Sequence, residues 1–173
     1  MVSSVASVEL LVELLRERVG GQITYANLAN DLGVSAPTVK SWIELLEKLY
    51  LILLLRPFSG TLAKSLGKEP KLYFFDCSAA ENGEAARLEN LVALALYKWC
   101  DFTRDTAVRD TRLFYFRDSN DREVDFVVTE GRSVLACIEV KSSDEELSSS
   151  LRYLSDRLKP KQALQLVRNC SRA

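Results

Sequence analysis

Apolar residues recur every three or four positions near the start of the chain, which predicts an amphipathic helix over residues 4–19. Its charged residues fall mainly on the opposite side and would face solvent. The pair Gly20-Gly21 is expected to end the helix. The predicted apolar stripe consists of Val5, Val8, Val12, Leu15 and Val19.

The next stretch has the pattern of a helix-turn-helix motif. Thr24 can cap a short helix, Gly33 permits a tight turn, and Ser35 can cap the following helix. Ala29 is small where the two helices would cross, and Val39 would pack behind the second one. These positions stand at the intervals of the motif, so we expect two helices between residues 24 and 49.

Two apolar segments, 51–57 and 71–76, predict a pair of strands. A helix-turn-helix followed by such a hairpin predicts a winged helix, which we place at residues 1–77. The loop between the strands carries Gly60, Lys64, Gly67 and Lys68.

The remaining residues, 78–173, predict a second domain in which helices and strands alternate, so the fold class is α/β (α+β). A helix is expected from Glu84 to Cys100, followed by three strands joined by tight turns. Ser142-Ser143-Asp144 would cap another helix ending near Leu158, and a last strand at 163–167 would run parallel to its predecessor. The predicted buried stripe of the long helix consists of Leu88, Leu91, Val92, Ala95, Leu96 and Trp99.

Charged residues interrupt two of these strands at regular spacing. Side chains alternate across a strand, so Glu139 and Lys141 would share one face. By the same rule Glu123, Asp125 and Val127 would share a face of the preceding strand, with Val124, Phe126 and Val128 on the other. If the strands pair, Asp125, Glu139 and Lys141 can converge. Two carboxylates close together cost free energy unless a cation binds them, and a divalent cation such as Mg²⁺ is the expected ligand.

Composition and charge limit the classes of function. The chain has 173 residues, is 47% apolar, has a net charge of −1 and contains no histidine, which excludes Ser-His and Cys-His catalysis within it. Four scattered cysteines lack the spacing of a zinc or redox motif and are expected to be reduced. Without an 18-residue apolar run or a signal peptide, the sequence predicts a cytoplasmic protein with no membrane contact.

The helix-turn-helix motif raises the hypothesis of DNA binding. Thr38, Lys40 and Ser41 would lie on the recognition helix, and Lys64 and Lys68 at the tip of the wing. Through residue 76, however, eight basic residues are balanced by eight acidic ones. Because phosphate contacts dominate DNA affinity, a neutral module should bind DNA weakly by itself.

The second domain resembles the PD-(D/E)XK nuclease superfamily, whose parts are an acid on a preceding helix, an Asp on one strand and Glu-x-Lys on the next. The resemblance implies Glu89, Asp125, Glu139 and Lys141 as catalytic positions. It also implies a restriction-endonuclease-like α/β/α fold, with Mg²⁺ or Mn²⁺ held by Asp125, Glu139 and Glu89.

The whole chain resembles the C-terminal portion of a bacterial and archaeal family of predicted AAA+ ATPases, which carry a P-loop module, a winged helix and a nuclease-like domain. No phosphate-binding loop is found here, since six residues separate Gly60 from Gly67 and Glu69 follows Lys68. The resemblance thus implies a fragment whose ATPase partner module lies elsewhere. The matching stretches are Tyr25 to Ala29, Ser35 to Lys40, Pro70 to Asp76, Leu88 to Val92, Glu123 to Val127 and Ile138 to Ser143.

Three hypotheses of function follow. The chain is an accessory or effector region of an ATPase with a nuclease-like site, an active metal-dependent nuclease, or a winged-helix regulator or interaction module without catalysis. Neutral charge in both halves favours the accessory role, and the complete set of acids with a lysine favours the enzyme.

Overall fold

A computed structural model of the chain describes residues 2–59, 68–143 and 146–169. Its helices and two separate sheets confirm the α+β class. The predicted positions Gly60, Lys64, Gly67 and Asp144 lie outside the described residues. Within the described ranges, no helix is both long and apolar enough to cross a membrane.

The chain divides into two compact units. Unit 1 lies within Met1–Leu55 and Glu69–Asn90, and unit 2 within Arg56–Lys68 and Leu91–Ala173. The division falls inside one helix, between residues 90 and 91. The domain boundary predicted from the sequence lies between residues 77 and 78.

Unit 1 begins with three helices, α1 (Val2–Arg16), α2 (Tyr25–Leu32) and α3 (Ala36–Lys48). Their buried residues include Leu11, Leu15, Leu28, Val39 and Ile43. The predicted stripe of α1 was partly wrong, because Val5 is 59% exposed and Leu11 takes the buried position instead. The helix also ends at Arg16 rather than at residue 19.

The turn chemistry of the helix-turn-helix segment is mostly as predicted. Gly33 has a φ of 66°, and the Thr38 backbone N–H donates to Ser35 Oγ over 3.3 Å. Both features are local, so they follow from residue type. The Thr24 prediction was wrong in detail, because its side chain bonds no backbone N–H of α2 and accepts instead from the Asn27 amide.

A two-stranded antiparallel sheet completes the strands of unit 1. Strand β1 (Ile52–Leu55) pairs with β2 (Lys71–Phe74), and Ile52 lies opposite Phe74. All eight residues are buried. Three helices followed by this hairpin are the elements that the sequence predicted.

Helix α4 (Glu84–Ala107) is seven residues longer than predicted, and its buried side differs from the predicted leucine stripe. Leu91 is 55% and Trp99 is 40% exposed, although both were expected to be buried. Small or polar residues are buried in their place. These residues are Ala86, Asn90, Ala93 and Cys100.

Unit 2 contains a four-stranded sheet in the order β3-β4-β5-β6. The first three strands are antiparallel, and β6 runs parallel to β5 after helix α5, which confirms the predicted order. Helix α5 packs on one face, where Leu151 and Leu154 meet Val124, Val127 and Cys137. The bounds are β3 (Thr111–Arg117), β4 (Glu123–Glu130), β5 (Ser133–Ser143), α5 (Ser149–Leu158) and β6 (Gln162–Asn169).

The start of α5 differs from the sequence prediction. Ser142 and Ser143 belong to β5, so they cannot cap the helix. Ser148 is the cap, and its Oγ accepts from the Leu151 backbone N–H over 3.4 Å. The strand continues because residues through Ser143 still pair with β6.

Candidate functional site

A β-bulge sets the position of Asp125. In the pairing of β3 with β4, Phe114 lies opposite Val127 and Phe116 lies opposite Val124. Asp125 and Phe126 therefore share the space opposite the single residue Tyr115. Bulges of this kind interrupt the ladder and re-aim side chains. The predicted alternation of faces was wrong here, because Val124 and Val127 pack in the same core cluster.

The carboxylate of Asp125 reaches the neighbouring strand. The paired residues of β4 and β5 end at Phe126 and Ile138. Just beyond that pair, Asp125 Oδ2 accepts a hydrogen bond of 2.9 Å from the Val140 backbone N–H. Val140 is the central residue of the sequence Glu139-Val140-Lys141, so the structure brings Asp125 to this segment.

Glu139 and Lys141 form an ion pair. Lys141 Nζ lies 3.1 Å from Glu139 Oε1, and the Glu139 side chain is 9% exposed, whereas that of Lys141 is 32% exposed. Removing a carboxylate from water is costly, and a nearby ammonium offsets part of that cost. The strand thus holds a largely buried carboxylate beside a cation that still reaches solvent.

Glu89, the fourth predicted site residue, belongs to unit 1, where its carboxylate has protein partners. Glu89 Oε1 accepts a hydrogen bond of 2.7 Å from the Tyr73 hydroxyl and lies 3.2 Å from Lys71 Nζ. The Lys71 side chain is only 2% exposed, so this ion pair is largely shielded from water. Glu89 is therefore not a solvated surface residue, and its part in a metal site stays a prediction.

The donor set can be compared with the needs of a divalent cation. The described residues contain no group of three or more Asp, Glu, Cys or His side chains arranged to hold a metal. Mg²⁺, however, is commonly bound through one or two protein carboxylates, with waters and substrate phosphates completing its octahedron. The bond from Val140 holds the Asp125 carboxylate at the strand segment that carries Glu139, so two carboxylates are the protein ligands that this segment would supply.

The predicted nucleic-acid contacts of α3 are only partly available. Lys40 and Ser41 are exposed, but the Lys40 ammonium lies 3.8 Å from Glu44 one turn later. Thr38 Oγ1 is 2.7 Å from Ser35 Oγ and so takes part in the helix cap. Lys68 is exposed. DNA contact by these residues stays a prediction. Acidic residues of α3 such as Glu44 reduce the positive electrostatic potential that the helix would present to DNA phosphates.

Gln165, which was not among the predicted site residues, lies beside Glu139 on β6. The register of the parallel pair places Glu139 opposite Gln165. The Gln165 side-chain oxygen accepts from the Ser148 backbone N–H over 3.0 Å, which ties β6 to the start of α5. Its one sequence signal was a polar residue in the otherwise apolar run from Ala163 to Val167.

Two of the cysteines, Cys100 and Cys137, are poor nucleophiles. Cys77, Cys100 and Cys137 are free thiols, as predicted, and Cys170 lies outside the described residues. Burial raises the pKa of the Cys100 thiol to about 11, and burial alone does the same for Cys137. Because the thiolate is the reactive form, both groups are inert near neutral pH.

Comparison with known protein families gives two matches. Residues 2–83 match a family described as Domain of unknown function (DUF8612), and residues 84–172 match Domain of unknown function (DUF4143). Searches of curated proteins and of solved structures found no match. The second family covers slightly more than half of the chain and includes Glu89 and the segment from Asp125 to Lys141. The chain therefore belongs to the DUF4143 family.

Proposed function

We propose that the chain is the C-terminal effector region of a larger ATPase and carries a metal-dependent, nuclease-like site that acts on nucleic acid. The observation that carries the proposal is the hydrogen bond from the Val140 N–H to Asp125 Oδ2. It joins an acid on one strand to the Glu-x-Lys segment of the next. This is the arrangement expected from the resemblance to the PD-(D/E)XK superfamily.

Each residue has a distinct role in this proposal. Asp125 and Glu139 would hold Mg²⁺ or Mn²⁺, which when bound lowers the pKa of a coordinated water and offsets phosphate charge. Lys141 balances the charge of Glu139 at 3.1 Å and can donate to a phosphate oxygen or orient water. The bulge at residues 125 and 126 fixes the direction of the Asp125 carboxylate.

The ATPase association rests on the whole-chain resemblance, and membership of the DUF4143 family is compatible with it. In this proposal the three helices and hairpin of unit 1 are a winged helix that connects the ATPase module to the nuclease-like domain. Equal numbers of acidic and basic residues through residue 76 fit a connector better than a strong DNA-binding domain.

The first test is thermal unfolding of the chain with and without millimolar Mg²⁺ or Mn²⁺. A ligand that binds only the folded state raises the midpoint. We expect a rise in the wild type that is lost in Asp125→Asn, because the amide can still accept from Val140 but has no charge. Asp156→Asn, an exposed acid on α5, is the matched control and should keep the rise. An equal rise in Asp125→Asn would refute the proposed metal site.

Cleavage is tested separately, with single-stranded and duplex DNA and RNA. We expect Mn²⁺-dependent cleavage that is lost in Asp125→Asn and in Lys141→Met. Cleavage that persists in both variants would come from a contaminant or another site. Metal binding without cleavage of any substrate would refute the catalytic part of the proposal but would still support the metal site.

A non-catalytic accessory role is the second candidate, and the bonds of Glu89 favour it. Its carboxylate is bonded to Tyr73 and Lys71 within unit 1, which gives this acid a structural use. Glu89→Gln shows whether Glu89 is structural, as the accessory role expects, or is a metal ligand. If Glu89 is structural, the variant unfolds at lower temperature in the absence of metal and keeps the full metal-induced rise. If Glu89 is a ligand, the metal-induced rise itself shrinks.

A further inference from the structure

The two outer strands of the unit 2 sheet differ in how their edges are covered. At one edge, the Tyr115 backbone of β3 bonds to the segment Arg56–Phe58. The Phe58 N–H donates to the Tyr115 carbonyl over 2.6 Å, and the Tyr115 N–H donates to the Arg56 carbonyl over 3.2 Å. At the other edge, β6 has β5 as its one sheet neighbour among the described residues. A terminal strand of eight residues is a ready template for another strand.

The centre of the β6 face turned away from Gln165 is apolar and exposed. Leu164 is 39% and Leu166 is 38% exposed, and the two lie opposite Ile138 and Val140 in the parallel register. Leu164 also lines a cavity of about 520 Å³ beside this strand. The apolar surface therefore continues from the strand edge into the cavity. The other apolar residues of its lining are Leu96, Trp99, Val128, Leu135, Ala136 and Ile138.

We propose that this surface binds a second copy of the chain, and that β6 pairs with β6 of the partner in antiparallel fashion about a two-fold axis at Gln165. A two-fold axis perpendicular to the sheet keeps each side chain on its own face, so the axis must pass through a residue of β6. Opposite residues of an antiparallel pair share a face. With the axis at Gln165, each Leu164 therefore lies opposite the Leu166 of the other copy.

The polarity of the paired side chains favours this register over those with the axis at Leu164 or Leu166. With the axis at Gln165, Arg168 lies opposite the uncharged Gln162 of the second copy, and both leucine pairs form. An axis at Leu166 would place the Arg168 guanidinium opposite Leu164, and an axis at Leu164 would place Gln162 opposite Leu166. Each of these alternatives sets a polar side chain against an apolar one. Of these three registers, the one with the axis at Gln165 forms both leucine pairs and sets no polar side chain against a leucine.

The dimer would extend the sheet to eight strands through main-chain hydrogen bonds, which is the usual way that edge strands recruit a partner. It would also cover Leu164 and Leu166 and narrow the open side of the cavity. This inference does not depend on the proposed nuclease activity. It concerns the face of the sheet opposite that of Glu139 and the outer edge of β6.

The test is sedimentation velocity of the whole chain over a wide range of concentration, with circular dichroism to verify folding. We expect a dimer for the wild type. Leu164→Lys with Leu166→Lys places like charges opposite each other twice and should raise the dimer Kd by roughly tenfold or more. Leu45→Lys, at a 51% exposed leucine of unit 1, is the matched control and should leave the Kd unchanged.

A second double variant tests the register. Leu164→Glu with Leu166→Lys in the same chain sets a carboxylate opposite an ammonium at both positions, so the dimer should form again. A wild type that is monomeric at all concentrations would overturn the proposal, and so would a double-lysine variant that dimerises like the wild type. Failure of the Glu/Lys variant to dimerise, with a folded chain, would overturn the register at Gln165.

Discussion

The Asn90 side chain bonds the backbone of β2 in the way that a neighbouring strand would, and its replacement should lower the stability of the fold. It is fully buried, its Oδ1 accepts from the Phe74 backbone N–H and its Nδ2 donates to the Phe74 carbonyl, both over 2.8 Å. Asn90→Ala would leave both backbone groups without this partner. A buried group that loses its hydrogen bond costs about 1–3 kcal/mol, so for the two groups we expect a loss of about 2–6 kcal/mol in the free energy of unfolding.

The Asn90→Asp variant sharpens the test because its effect depends on pH. One carboxylate oxygen can still accept from the Phe74 N–H, but the other would face the Phe74 carbonyl without a proton. Burial and this repulsion should raise the pKa of the introduced carboxyl group in the folded state. The variant should therefore be closest to the wild type in acid and lose stability as pH rises above about 4, the carboxyl pKa of the unfolded chain.

The assay is urea-induced unfolding, with the variant compared with the wild type at each pH so that other titrating groups cancel. Asn27→Ala is the matched control, since Asn27 is exposed and its side-chain amide donates to the Thr24 hydroxyl. It should change the free energy of unfolding by less than about 0.5 kcal/mol. A loss below about 1 kcal/mol in Asn90→Ala, or a pH-independent effect in Asn90→Asp, would refute the argument.

Other predictions concern local features of the two units. Ser35→Ala removes the cap of α3 and should lower the free energy of unfolding by about 1 kcal/mol, as measured in urea, whereas Ser35→Asp should retain most of it. Gly20→Ala should lower the melting temperature, because φ is 77° and the new Cβ would lie 3.0 Å from Glu89 Oε2; an unchanged melting temperature would contradict the close packing. Because burial raises the Cys137 pKa to about 11 from an ordinary value of 9.0, its neutral form stabilises the fold below pH 9, and this contribution is lost as pH rises toward 11. The free energy of unfolding should then fall more steeply over that range in the wild type than in Cys137→Ala, and equal slopes would contradict the burial of the thiol.

Features set by neighbouring residues in the chain were predictable from sequence. Ser35 caps α3 and Gly33 makes the turn before it, because both depend on residue type at one position. The order of helices and strands was predictable for the same reason, since period and turn residues are local signals. The approach of Asp125 to the segment Glu139-Val140-Lys141 followed from the assumption that consecutive strands pair, but the bulge that directs its carboxylate was not predicted.

Features set by packing were not predictable in the same way. The leucine stripe of α4 looked like its core side, yet Leu91 is exposed while Ala93 and Cys100 are buried. Apolar spacing shows where a helix can bury a face, but the shape of its neighbours decides which side chains fit. The partners of Glu89 could likewise not be predicted from local sequence, because Lys71 and Tyr73 lie more than a dozen residues away in the chain.

The bulge in β4 makes the number of residues in this strand as important as their identity. Two residues, Asp125 and Phe126, occupy the place opposite Tyr115, so one short strand supplies both an acid and a fully buried aromatic ring at a single step of the ladder. Loss of one residue would restore regular alternation and leave Val124 and Val127 on one face. The core could then persist without the acid in its present position. Length variation at this point would separate relatives that retain the site from those that retain only the fold.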